Sequence, residues 1–269
     1  MTAGQTVVGG SPVQVVEGGH GSPVLLLHGS GPGTTGSGAW ATTIRALDAS
    51  WRFVAPDQSG FGSTPLPAGA RGGLQQWTEQ AAGLMDALGV ESYAVVGHSM
   101  GGAVALALAA ARPGSAHRRD RHHAGHLPGA PLSADLDALW AAPPGPAGAR
   151  DMLSRLVVDQ ALVTDAAVQA RAAAMEAGAA AFASLFPPPR ARWAEDLTLS
   201  APTLAAVRAP VLLVHGAQDG VTPLRTAALP LLDHLADVRL HVLGGCGHVP
   251  QLEHPLDFQR LLADFLRQG

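Results

Sequence analysis

The stretch from Ala94 to Ala111 constrains the fold more than any other part of this chain. It runs from a short apolar segment, Ala94–Gly97, through Gly97-His98-Ser99-Met100-Gly101, into the nearly all-apolar segment Met100–Ala111. A buried strand that feeds a buried helix through G-x-S-x-G is the setting of a nucleophile elbow, a sharp turn that holds a serine hydroxyl above the ends of the strands. Small residues are needed on both flanks because a side chain there would collide with neighbouring backbone. The N-terminus of the following helix favours negative charge developing nearby.

The same alternation continues on either side. Val24–His28, Phe53–Ala55, Val211–His215 and Val238–Leu243 read as strands. Thr42–Leu47, Trp77–Leu88, Pro223–Leu235 and Pro255–Arg267 read as helices. Trp77, Ala81, Leu84, Met85 and Leu88 keep helical spacing, and Gly89 stops that helix. Strands alternating with helices predict an α/β fold with a mostly parallel central sheet flanked by helices. Residues 131–207 differ in being alanine-rich, with proline clusters. Met152–Val158 and Ala166–Met175 read there as short helices. The expected division is residues 1–130 and 208–269 for the core and 131–207 for a helical cap, either a lid over the site or ordinary packing helices.

A chain of 269 residues suffices for one such domain with a modest insertion. A net charge of −4 argues against a nucleic-acid partner. The longest apolar run, ending at Ala111, is shorter than the roughly 20 residues that span a bilayer, so no membrane partner is expected. The first residues show neither a basic start nor a long apolar run, so a signal peptide is not expected. The single cysteine, Cys246, excludes an internal disulfide and suits a reducing, cytoplasmic setting. The expected partner is a small-molecule substrate, with no cofactor and no metal; the reading allows a homo-oligomer.

A serine hydroxyl needs a base. His248 lies in Gly244-Gly245-Cys246-Gly247-His248, just after a predicted strand, at the sheet edge where ligands bind in open α/β folds. Asp219 follows the Val211–His215 strand and is the expected orienting acid; Asp57, also at a strand end, is its rival. The order serine, acid, histidine is the one expected of a nucleophile on a strand-to-helix turn. The oxyanion of acyl transfer needs preorganised N–H donors, expected from Met100 and Ser30. His98 and His28 are read as shaping the pocket or packing, and Cys246 as a small buried side chain.

The chain resembles the α/β-hydrolase family, and in particular the meta-cleavage-product hydrolases, which split carbon–carbon bonds. The resemblance rests on His28-Gly29-Ser30-Gly31-Pro32-Gly33, on Asp57-Gln58-Ser59-Gly60-Phe61-Gly62-Ser63, on Phe186-Pro187-Pro188-Pro189-Arg190-Ala191-Arg192-Trp193, and on Leu240–His248 with Glu253-His254. It implies an α/β-hydrolase fold with a helical cap and a 2-hydroxy-6-oxo-hexa-2,4-dienoate substrate. His248 would protonate the dienol carbon and Ser99 would activate attack at the ketone. Gly29, Gly31, His98, Trp193 and Val249 are the substrate-pocket candidates. Three positions depart from the pattern: His98 stands where asparagine is common, Ser37-Gly38-Ala39-Trp40 replaces Trp-x-Asn-Trp, and Val249 replaces tryptophan. The family's lid arginine, which holds the dienoate carboxylate, has no equivalent at residues 175–181. A carboxylesterase or lactonase with the same triad is the alternative, and a non-catalytic protein that keeps the fold is the alternative of another class.

One segment breaks the pattern. The fold needs a buried strand after the elbow helix, yet eight of the ten residues from His117 to His126 are His, Arg or Asp. Burying them carries a heavy desolvation cost. A metal site on His122, His123 and His126, a basic surface patch, and a local reading-frame change are the readings; the last is preferred. The expectation is no regular strand there, or one with few apolar contacts, and a poorly filled place between the Ala94–Gly97 and Val211–His215 strands.

Overall fold

A computed structural model describes residues 1–47, 49–113, 120–122 and 132–268. The strands are β1 (Thr2–Val8), β2 (Ser11–Gly18), β3 (Ser22–Leu27), β4 (Trp51–Pro56), β5 (Ala94–Gly97), β6 (Asp120–His122), β7 (Val211–Gly216) and β8 (Val238–Leu243). The helices of the body are α1 (Gly36–Leu47), α2 (Leu74–Ala87) and α3 (Met100–Ala111). Next come α4 (Ala134–Ala141), α5 (Pro146–Leu156), α6 (Asp165–Leu185), α7 (Ala191–Asp196) and α8 (Ala201–Ala205), and after the last strand α9 (Pro250–Glu253) and α10 (Pro255–Arg267).

All eight strands form one sheet in the order β1-β2-β4-β3-β5-β6-β7-β8. β1 and β2 pair antiparallel and β2 joins β4 antiparallel; the remaining pairs are parallel. Alternate residues of β3 serve opposite faces, as the pleat requires. Val24 and Leu26 pack in one cluster with Trp40 and Ile44 of α1 and Phe258 and Leu262 of α10. Leu25 and Leu27 pack in another with Leu84 and Met85 of α2 and Val104 and Leu108 of α3. Burying a side chain of this size contributes roughly 1.5–3 kcal/mol, so a strand apolar on both faces needs a helix on each.

Two expectations are corrected in the body. The β1–β2 hairpin was not foreseen; its turn, Gly9-Gly10, has φ of 55° and 82°, the double positive φ that a two-residue turn of this hand demands. Pro223–Leu235 is not a helix: only Leu229–Asp233 is regular, as a 3₁₀ turn. Pro230 has no N–H to extend a ladder begun at Pro223.

The backbone of Asp120–His122 forms a short strand in the gap between β5 and β7; the apolar contacts expected to be few there lie outside the described residues. It pairs with Val95–Gly97 on one side and with Val211–Leu213 on the other. The reason is the backbone itself: β5 and β7 both present N–H and C=O groups to this gap, and pairing them does not depend on side-chain type. The flanking residues 117–119 and 123–126, and with them His123 and His126 of the histidine cluster and the side chain of His122, lie outside the described residues.

Helices α4 to α7 form the inserted segment. Its last part turns back to the body, where Leu199, Leu204 and Val207 pack with Leu106 of α3 and Val211 and Leu213 of β7. Among the described residues no helix is long and apolar enough to cross a membrane.

Candidate active site

Ser99 joins β5 to α3 with φ 55° and ψ −120°. It is the one positive-φ residue other than glycine among the described residues. Such a conformation costs on the order of 1–3 kcal/mol and persists only where its surroundings enforce it. Here a Cβ on Gly97 would strike the backbone of Gly101, and a Cβ on Gly101 would strike the carbonyl of Leu27. The two glycines of the motif thus let β5, α3 and the end of β3 meet backbone to backbone.

Asp219 lies after β7 and is buried. Its Oδ1 accepts from the N–H groups of Val221 (2.8 Å) and Thr222 (2.9 Å). Its Oδ2 accepts from the Thr222 hydroxyl (2.8 Å) and stands 2.9 Å from His248 Nδ1. With Nδ1 donating to the acid, His248 Nε2 is the nitrogen left to move a proton. The rival acid has other work: Asp57 accepts from the N–H of Gly36 (2.7 Å) and of Ser63 (2.9 Å), joining the start of α1 to the turn after β4.

Three further histidines hold backbone in place. His98 Nε2 donates to the carbonyl of His248 (2.8 Å). Burial, with His248 beside it, pushes its pKa down to about 3, so the ring is neutral. His28 Nδ1 donates to Gly29 O (2.8 Å) and its Nε2 accepts from Gln58 N–H (2.9 Å), a rivet between the glycine loop and the Asp57 turn. Burial lowers its pKa as well. His215 Nε2 donates to Thr222 O (2.9 Å), and burial again lowers the pKa.

The glycine loop passes over the nucleophile. A Cβ on Gly29 would stand 3.1 Å from Ser99 Cβ and 3.1 Å from His98 Nδ1, tight contacts that would press on both side chains. Ser30 follows, its hydroxyl accepting from Trp140 Nε1 of α4 at 2.9 Å. Met100 heads α3; the N–H groups that follow it are engaged, Gly101 donating to His98 O (2.9 Å) and Gly102 to Ser99 O (2.8 Å). Met100 at the start of α3 and Ser30 in the glycine loop, the two positions expected to supply oxyanion donors, thus lie next to Ser99 and in the lining of its cavity respectively.

Ser99, His98 and His248 open into a cavity of about 60 Å³ together with Gly29, Ser30 and Gly31. Val249, Leu139 of α4, Met152 of α5 and Val221 form apolar walls. Leu156, Arg171 and Leu252 are shared with an adjoining, mostly apolar chamber of about 530 Å³. The inserted helices thus wall the site. Of the predicted pocket residues, Trp193 is a correction: it is not in this lining. It packs against Phe186 (centroids 6.0 Å apart) and donates from Nε1 to Pro187 O (2.8 Å). Cys246 is fully buried and its thiol is pushed up to about 12, chiefly by burial, which leaves it a packing residue.

The functional residue that sequence reasoning missed is Arg171. It lies on α6 in the lining of both cavities, four residues before the 175–181 stretch that has no arginine. Its Nη1 donates to Pro32 O and to Thr34 Oγ1, each at 3.2 Å. Among the described residues no carboxylate pairs with it. Burial lowers its pKa, though a guanidinium stays protonated at working pH.

Comparison with known proteins agrees with this architecture. Residues 24–260 match the model of the alpha/beta hydrolase family. The chain is 36% identical over 267 residues to a 2-hydroxymuconate semialdehyde hydrolase of a Pseudomonas strain, covering 98% of this chain and 94% of that one. It is 38% identical to a 2-hydroxy-6-oxo-2,4-heptadienoate hydrolase of Pseudomonas putida, covering 97% and 94%. Among solved structures, a meta-cleavage product hydrolase from Pseudomonas fluorescens superposes with a TM-score of 0.93 at 33% identity, covering 98% and 97%. The chain belongs to the alpha/beta hydrolase family and, within it, resembles the meta-cleavage product hydrolases.

Proposed function

We propose that this hydrolase cleaves a carbon–carbon bond in a 2-hydroxy-6-oxo-hexa-2,4-dienoate, with Ser99, Asp219 and His248 as its triad. The observation that carries the reading is Arg171, a cation set beside the Ser99 pocket with only neutral acceptors. A substrate with a carboxylate at one end and a ketone at the other would satisfy that charge while presenting the ketone to Ser99. His248 Nε2 takes the dienol hydroxyl proton and returns it to the carbon beside the ketone. Ser99 then activates a water molecule to add to the ketone carbon, whose oxyanion is held by the N–H groups of Met100 and Ser30, and the carbon–carbon bond breaks with its electron pair leaving on the dienoate fragment, which takes up the water's remaining proton. Scission gives a 2-hydroxypenta-2,4-dienoate and a carboxylic acid. The buried, solitary Cys246 supports a reducing, cytoplasmic setting.

The test compares a panel of such dienoates with 4-nitrophenyl acetate, which carries no carboxylate. Arg171→Met should lower kcat/KM for dienoates by roughly 10²–10³-fold, the usual scale for stranding one member of a buried charge pair. It should leave ester turnover nearly unchanged. Ester turnover by wild type without turnover of any dienoate would overturn the carbon–carbon reading in favour of an esterase.

A further inference from the structure

Glu253 closes α9, just past the catalytic loop, and its carboxylate receives N–H groups from two separate parts of the molecule. Oε2 accepts from Gly247 (2.5 Å), the residue before His248. Oε1 accepts from Val158 (2.6 Å) and Asp159 (3.1 Å), which leave the end of α5. A second tie runs beside it: the backbone N–H of His248 donates to Leu156 O (2.8 Å), a carbonyl at the C-terminus of α5 with no partner inside that helix. The strands of this junction lie so close that a Cβ on Gly247 would sit 2.7 Å from Leu156 O. Met152 and Leu156, on this same helix, wall the Ser99 pocket.

We propose that Glu253 is a positioning residue that clamps the His248 loop to the end of α5, so that the histidine and this wall of the pocket move as one unit. The proposal rests on His248 being the catalytic base. Only a carboxylate meets the demand, because it accepts on both oxygens. An amide would turn its NH₂ toward an N–H donor on one side or the other. The clamp explains why an acid stands at 253, five residues past the base and bonded to the residue before it. It also sets a division in the inserted helices: α5 is bound to the base, whereas α6 carries Arg171 on the glycine loop.

Glu253→Gln, Glu253→Ala and Val158→Pro test this. The last removes one donor from the α5 side without touching the histidine loop; Val157 is already extended (φ −123°, ψ 146°), as a residue before proline must be. Turnover of a dienoate and the rate of Ser99 labelling by a fluorophosphonate are measured, with hydrogen exchange at 156–159 and 246–249. Glu253→Gln should lower kcat roughly 10- to 100-fold, the scale of a small misplacement of a catalytic group, with KM little changed. Glu253→Ala should lower it further, and Val158→Pro should lower it less than either. Exchange at Gly247 and His248 should rise together with exchange at Val158 and Asp159. Wild-type kcat with only a lower melting temperature would overturn the proposal. So would Val158→Pro with unchanged kcat, or exchange that rises on the α5 side alone. The exchange readout does not depend on the chemistry, and Ser99→Ala that kept its turnover would overturn the catalytic reading separately.

Discussion

Asp219 and Arg171 bring opposite charges to one site and are held in opposite ways. Among the described residues, Asp219 accepts from the backbone N–H groups of Val221 and Thr222, from the Thr222 hydroxyl and from His248. All of them come from the body of the fold. Its capacity is filled, and it serves as a fixed counter-ion for the imidazole. Arg171 comes from the inserted α6 and is given only a carbonyl and a hydroxyl, both at 3.2 Å. Its charge is left uncompensated among the described residues. The difference separates two tasks. On the proposed reading the base is preorganised by the protein alone, whereas the cation of the cap is to be completed by the substrate carboxylate.

The largest effects belong to the preorganised side. Ser99→Ala or His248→Ala should each lower turnover on the order of 10⁶-fold, because triad members act as one unit. Asp219→Asn should cost less, roughly 10⁴-fold, by leaving the imidazole in the wrong tautomer. Steady-state rates near wild type for any of the three would break the comparison at its stronger end.

A smaller effect concerns the neutral histidines that hold this side together. His98 is pushed down to about 3 by burial. An unfolded histidine titrates near 6.5, so between these values the unfolded chain binds more protons than the folded one. The stability is therefore fully present above about pH 6.5 and is lost as pH falls toward 3. His28 and His215, also lowered by burial, act in the same sense. His98 alone should contribute a loss of about 2 kcal/mol between pH 6.5 and 5. Denaturant titrations of wild type and His98→Asn should differ in slope across that range; parallel curves would show that burial does not keep His98 neutral.

The smallest expected effect is none at all. With its thiol pushed up to about 12 by burial, Cys246 should resist iodoacetamide at pH 8 until the chain unfolds. Rapid alkylation of the folded enzyme would mean that the His248 loop opens, and would place the base on the adaptable side of the comparison.

Much of this site is legible without coordinates because it depends on local chain geometry. Gly97 to Gly101 can be read directly: the flanking glycines are demanded by a turn that brings three elements together, and the run on either side names a strand and a helix. The order Ser99, Asp219, His248 follows once each is placed just past a strand. The first hairpin was missed although Gly9-Gly10 between strand-like segments is a hairpin signal. Across Pro223–Leu235 the apolar spacing suggests a helix, but the missing N–H of Pro230 interrupts it.

Other features exist only in the folded chain. Arg171 sits on a helix so rich in alanine that no pattern marks its facing; only the docking of α6 on the glycine loop brings the guanidinium to Pro32 and Thr34. The tie from His98 to the His248 carbonyl, and the carboxylate of Glu253 between Gly247 and Val158, join residues far apart in the sequence. The backbone path of Asp120–His122 is decided by the neighbouring strands, whose unpaired groups demand a partner whatever side chains it carries. Sequence alone determined where Ser99, Asp219 and His248 lie on a sheet, since turns and strand ends are written in consecutive residues. Tertiary structure decided what surrounds them, because long-range hydrogen bonds and uncompensated charge depend on which distant segments come to share one wall.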